Sequence, residues 1–143
     1  GVARQLTKEE AKNVLRTAAE AGLVHAGLNV QELDFLCNCC SCHCMILKDA
    51  LSQPKPGRFL SSGYQPQIDP ETCTGCETCM SRCPARAITI PENLPIIDPD
   101  RCFGCGVCAV GCPMDAIDMV GKEEVPIPPI NRKELQKALS SNY

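Results

Sequence analysis

The 143 residues predict an α+β protein: two strand–helix–strand units in tandem behind a mainly helical, cysteine-rich N-terminal region. Three observations carry that expectation. The second half repeats itself at a shift of 29 residues, short apolar runs flank each copy, and a capped stretch of helical periodicity opens the chain. Aromatics make up 3% of the residues and Trp is absent, so the core is small and calls for staples, for which 13 cysteines are present.

Thr7 followed by Glu10 has the capping-box form, and Ala11, Val14, Leu15, Ala18 and Ala19 keep helical spacing up to Gly22. The spacing predicts a helix over 8–21. GLVHAGLNV then leads to CNCCSCHC at 37–44. On a helix Cys37, Cys40 and Cys44 would share one face, and Cys39 and Cys42 another; in extended chain Cys40, Cys42 and Cys44 would align. Either way, four thiolates can converge on one centre. MILKDAL (45–51) reads as a short helix that closes a first region, 1–52. Residues 53–65, within SQPKPGRFLSSGYQP, read as a linker.

Residues 66–121 hold the duplication. IDPETCTGCETCMSRCPARAITI (68–90) overlays IDPDRCFGCGVCAVGCPMDAIDM (97–119), with all four cysteines, Gly75 on Gly104 and Pro84 on Pro113 coinciding. Each IDP reads as a strand entering a turn, the second strand spanning 95–98. AITI (87–90) and AIDM (116–119) read as returning strands. The prolines behind Cys83 and Cys112 predict short helices that begin there. In the remainder, 122–143, VPIPPI (125–130) favours extended chain, and Asn131 with Glu134 caps a helix through Leu139. The spacer lets that helix pack back on the N-terminal half.

The cysteines set the chemistry. Thirteen is odd, many lie two or three residues apart where a disulfide is strained, and no signal-peptide pattern opens the chain. Metal binding is the reading for a cytoplasmic chain. Each copy carries C-x2-C-x2-C-x3-C-P: Cys73, Cys76, Cys79 and Cys83, then Cys102, Cys105, Cys108 and Cys112. A thiolate at every third residue can wrap three iron corners of a cubane, and Gly75 and Gly104 let backbone N–H groups approach sulfide. Zinc ribbons instead set two C-x2-C knuckles far apart.

On these residues the unit resembles bacterial two-cluster ferredoxins across about 66–120. The resemblance implies a ferredoxin-like pseudo-two-fold (βαβ)2 fold around two [4Fe–4S] clusters. It implies that Cys73, Cys76, Cys79 and Cys112 hold one, and Cys102, Cys105, Cys108 and Cys83 the other. GLVHAGLNV with CNCCSCHC resembles a segment of larger iron–sulfur proteins of anaerobic microbes, in which a run of the form CNCCGCCC precedes such a domain. Here Ser41 stands for Gly and His43 for Cys.

The five cysteines Cys37, Cys39, Cys40, Cys42 and Cys44 point to a third metal centre that uses four of them, with His25 and His43 as further candidate ligands. A [4Fe–4S] cluster is the first reading, because it would extend an electron path; structural zinc is the second. Arg82, Arg86 and Arg101 lie beside ligands and read as solvated surface charges.

Clusters ligated only by cysteine leave no open position for substrate, and no catalytic triad, phosphate loop or flavin fingerprint is present, so no catalytic residue is assigned. The expected function is electron transfer, as a relay module or carrier for a larger oxidoreductase, with redox proteins as donor and acceptor. The alternatives are a reductase or a redox or metal sensor whose active metal is the 37–44 site. Two oxidised clusters would take the formal charge from -3 to about -7, which suits a basic partner surface. The acidic balance and the lack of a basic recognition helix argue against nucleic acid, and no apolar run has the length of a membrane span. Gly1 in place of Met suggests an expression scar or a piece of a longer chain.

Overall fold

A computed structural model describes residues 3–141. Helix α1 (Lys8–Glu20) starts at Thr7, whose side chain accepts from Glu10 N while the Glu10 carboxylate accepts from Thr7 N at 2.8 Å. Both halves of the capping box are therefore present, satisfying two of the free N–H groups at the helix start. Gly22, at φ 81, turns the chain into β1 (Val24–Ala26).

The cysteine run is neither a helix nor one extended stretch. Strand β2 (Cys37–Cys39) pairs antiparallel with β1, setting His25 opposite Asn38 and Val24 opposite Cys39. The chain then turns through 41–43, and Cys44 becomes the N-cap residue of α2 (Met45–Ser52). The N-terminal region thus contains a small two-stranded sheet between its helices. Strands of three residues are too short to show alternation in sequence.

The repeat forms two antiparallel ladders: β3 (Tyr64–Ile68) with β6 (Ile117–Gly121), and β4 (Ile88–Thr89) with β5 (Ile96–Ile97). Backbone bonds recur at the 29-residue shift: Asp69 N to Ala116 O mirrors Asp98 N to Ala87 O, and Cys73 N to Asp69 O mirrors Cys102 N to Asp98 O. Asp69 and Asp98 lie in the turn rather than the strand, their carboxylates accepting from Glu71 N and Asp100 N. The inner ladder is short because the turn at Pro91–Asn93 joins its strands; the outer one runs on to Gly121.

The short helices sit elsewhere than the prolines suggested. They are α3 (Thr78–Arg82) and α4 (Val107–Val110), so they carry the third cysteine of each copy and end before the fourth. Cys83 is extended, at φ -71 and ψ 110. A proline disfavours helical backbone in the residue before it, and Pro84 thereby ends α3 instead of opening a new helix.

One core joins the two halves. Val24 and Leu47 pack with Ala85, Ala87, Phe103 and Val107, flanked by Cys39, Cys44, Cys83, Cys102 and Cys105. A second cluster of Cys79, Ile88, Cys108 and Ile117 lies between the copies. The 53–65 stretch is packed as well. Pro56 is fully buried, Gly57 N donates to Asp100 O, Ser62 N donates to Phe103 O, and Lys55 and Arg58 both pair with Asp100. Its last residues belong to β3.

Arg82 makes the clearest polar tie. Its Nη2 donates to Ala19 O at 2.9 Å and Glu20 O at 3.1 Å, and its Nε donates to Val107 O at 3.2 Å. A cation thus caps the C-terminal end of α1 and reaches α4. The guanidinium passes over Gly111, where an added Cβ would overlap Arg82 Nε. Gly111→Ala is expected to displace Arg82 and cost about 2 kcal/mol in a denaturant melt. Adding it to Arg82→Ala should cost little more, because both substitutions remove the same bonds.

At the other end, α5 (Arg132–Ser140) is capped by Asn131, which accepts from Glu134 N at 3.2 Å. The proline-rich spacer returns the tail to the N-terminal half, where Gln31 N donates to Pro129 O, Glu32 N donates to Ile130 O, and Arg132 pairs with Asp34 at 3.1 Å.

Candidate metal centres

Two cavities are lined by cysteines from both copies. Cys73, Cys76 and Cys79 line the first together with Cys112. Cys102, Cys105 and Cys108 line the second together with Cys83. In each, the loop of one copy supplies three thiols and the fourth arrives from the other copy, because α3 and α4 carry the chain across to the neighbouring cavity. The apolar rims come from residues such as Ile117 in the first and Phe103 and Ile88 in the second.

Backbone donors already point at sulfur. Ala87 N lies 3.3 Å from Cys83 Sγ, and its counterpart Ala116 N lies 3.4 Å from Cys112 Sγ. Such N–H groups stabilise a sulfur that carries negative charge. The sequence reading missed both alanines as functional residues, although their shared offset of four from a ligand was there to be found. It also missed Thr78, whose hydroxyl oxygen lies 3.4 Å from Cys76 Sγ and whose hydrogen bond holds that thiol below its ordinary pKa. Gly104, at φ 74, is needed for room: a Cβ there would overlap Tyr64 O and Ser62 Oγ.

The two cavities differ electrostatically. Burial pushes the Cys105 thiol up to about 11 and Cys108 up to about 12, and raises Cys102 as well. In the first cavity burial raises Cys79 while Cys76 is lowered. Buried thiols with raised pKa stay protonated at neutral pH until a cation displaces the proton, so metal binding there releases protons.

The cysteine run divides into two groups. Cys40 Sγ, Cys42 Sγ and a ring nitrogen of His43 lie within 4.8 Å of one another. Cys42 Sγ is 3.1 Å from Cys40 Sγ and 3.1 Å from His43 Nδ1. Hydrogen bonds from Cys42 and then His43 bring the Cys40 thiol down to about 6. Cys39, with Cys37 beside it on β2 and Cys44 behind, forms the other group; burial and then Cys44 push its thiol up to about 11. His25 is not brought to either group: its Nδ1 lies 2.8 Å from Asn38 Oδ1.

In the two repeat cavities, among the described residues, no three ligating atoms lie within 4.8 Å of one another.

Arg82 and Arg101 are not solvated charges, which corrects the sequence reading. Arg82 is spent on carbonyls, and Arg101 Nε donates to Ala85 O at 2.8 Å. Arg86 is exposed.

The family model for a 4Fe-4S dicluster domain matches residues 72–117. No curated protein matches the chain. No helix among the described residues is long and apolar enough to cross a membrane. The matched segment, about a third of the chain, contains all eight cysteines of the two cavities and supports an iron–sulfur domain of ferredoxin-like type there.

Proposed function

We propose that the chain moves single electrons through two [4Fe–4S] clusters in a ferredoxin-type pseudo-two-fold (βαβ)2 unit, and that it serves a larger oxidoreductase as a relay module or carrier. The observation that carries the reading is the crossed lining of the cavities, Cys112 joining the first copy's loop and Cys83 the second's. Bound clusters would supply reversible one-electron redox chemistry. The chain's own part is to provide thiolates, to aim the N–H groups of Ala87 and Ala116 at sulfur, and to exclude water with Phe103, Ile88 and Ile117. Those features set the potential. The donor and acceptor are taken to be redox proteins.

A third centre in the cysteine run is part of the proposal. The compactness of Cys40, Cys42 and His43 favours a single ion such as zinc there, with a fourth ligand from the neighbouring Cys39 or Cys44. Such an ion would staple a region short of aromatic side chains. The cubane reading would draw instead on Cys37, Cys39 and Cys44 with one of the other thiols. Anaerobic metal analysis of purified protein separates the readings. About eight irons with one zinc per chain is the expected result, about twelve irons would favour a third cluster, and fewer than four irons would refute the electron-transfer reading.

A further inference from the structure

Lys48, Arg82, Arg86 and Arg101 line one cleft between α2 and the repeat, with no acidic residue in its wall. None of the four makes an ion pair among the described residues. Four uncompensated cations on a chain with a net charge of -3 form a local field opposite to that of the whole molecule.

The duplication provides an internal control. At the 29-residue shift Arg82 corresponds to Gly111, Arg86 to Asp115 and Arg101 to Thr72. The two copies share their ligands and turns, so cluster binding does not require these cations. The three repeat cations come from both copies, Arg82 and Arg86 from the first and Arg101 from the second, and α2 adds Lys48 from the other half of the chain.

We propose that this cleft binds a small polyanion of the pyrophosphate class, such as the diphosphate group of a nucleotide-sized molecule. Arg82 and Arg101 are half-buried, and their Nε atoms are fixed to the carbonyls of Val107 and Ala85, so their charges are positioned before a ligand arrives. Arg101 uses only Nε on protein and keeps its two terminal nitrogens for paired phosphate oxygens, while Arg82, with Nε and Nη2 on carbonyls, offers Nη1. Lys48 and Arg86 are exposed and line the same cleft, one from α2 and the other from the first copy. The cleft offers about 480 Å³, room for a diphosphate group. A slim anion reaches the two half-buried arginines; a broad protein face would meet only the rim. Cys83 lies in the same wall, so the ligand would sit beside the second cysteine cavity, though binding requires no metal there.

The test is isothermal titration of the anaerobically purified full chain with inorganic pyrophosphate, in parallel with poly-glutamate. Saturable one-to-one binding of pyrophosphate is expected, weakened on the order of tenfold or more in Lys48→Ala/Arg86→Ala. Both side chains are exposed, and an unchanged thermal melt verifies the variant's fold; if it is altered, Lys48→Glu alone is expected to show the same direction of change. Absence of saturable pyrophosphate binding, or equal affinity in the variants, would overturn the proposal. Binding of poly-glutamate without pyrophosphate would overturn it too, making the cleft a docking face for an acidic protein.

Discussion

Cys83→Ser is expected to strip the cluster from the cavity that Cys83 shares with Cys102, Cys105 and Cys108, while the cavity of its own copy keeps its iron. Cys83 lies four residues beyond Cys79 in sequence, yet lines the other cavity. Pro84 forces Cys83 out of helical backbone, and the chain exits toward Ala85 and Ala87 in the core under Phe103. Cys112→Ser should do the converse. A serine oxygen is a poor replacement for thiolate on iron, so each variant should lose roughly half of the bound iron and one of two sets of low-potential signals in electron paramagnetic resonance. If Cys83→Ser damaged the cavity of Cys73, Cys76 and Cys79 more, the crossed pairing would be wrong.

Deletion of residues 1–62 is expected to cost the repeat its stability rather than release an independent domain. The cut removes Val24 and Leu47, which are 5% and 4% exposed, from the core shared with Phe103 and Val107. It also removes the carbonyls of Ala19 and Glu20 that Arg82 caps, and the buried Pro56. In the intact chain Leu47→Ala alone should cost about 2–5 kcal/mol, the range for opening a cavity in a packed core. The deletion removes several such contacts, and the second cavity, walled by Phe103, should be the first to lose metal. Thermal melts and iron content of the truncated protein measure this. Full iron retention with an unchanged melting temperature would show that the halves are separable, as the composition of the 53–65 stretch suggested.

What the sequence disclosed and what it concealed follow from how far each feature reaches along the chain. Ligand spacing is local: Cys73, Cys76 and Cys79 lie on one loop, and a duplication displays the pattern twice. The caps at Thr7 and Asn131 are local too, and helices stand at both. Pro84 and Pro113 satisfy two rules at once, a favoured first helical residue and a forbidden follower of one, and the second rule wins in the fold. Only the position of Cys79 inside α3 decides between them. The pairing of Val24 with Cys39, the shared core and the reach of Arg82 across 63 residues to Ala19 are long-range, and no periodicity announces them. His25 and His43 looked alike as isolated histidines. A turn through 41–43 folds one back on two thiols, while strand register points the other at Asn38.

Crystallographic anomalous scattering at the iron and zinc edges, from anaerobically grown crystals, addresses the central claim most directly. The account predicts strong iron signal in both cavities, each touching three cysteines of one copy and one of the other. Zinc alone in those cavities, or iron held by all four cysteines of a single copy, would contradict it.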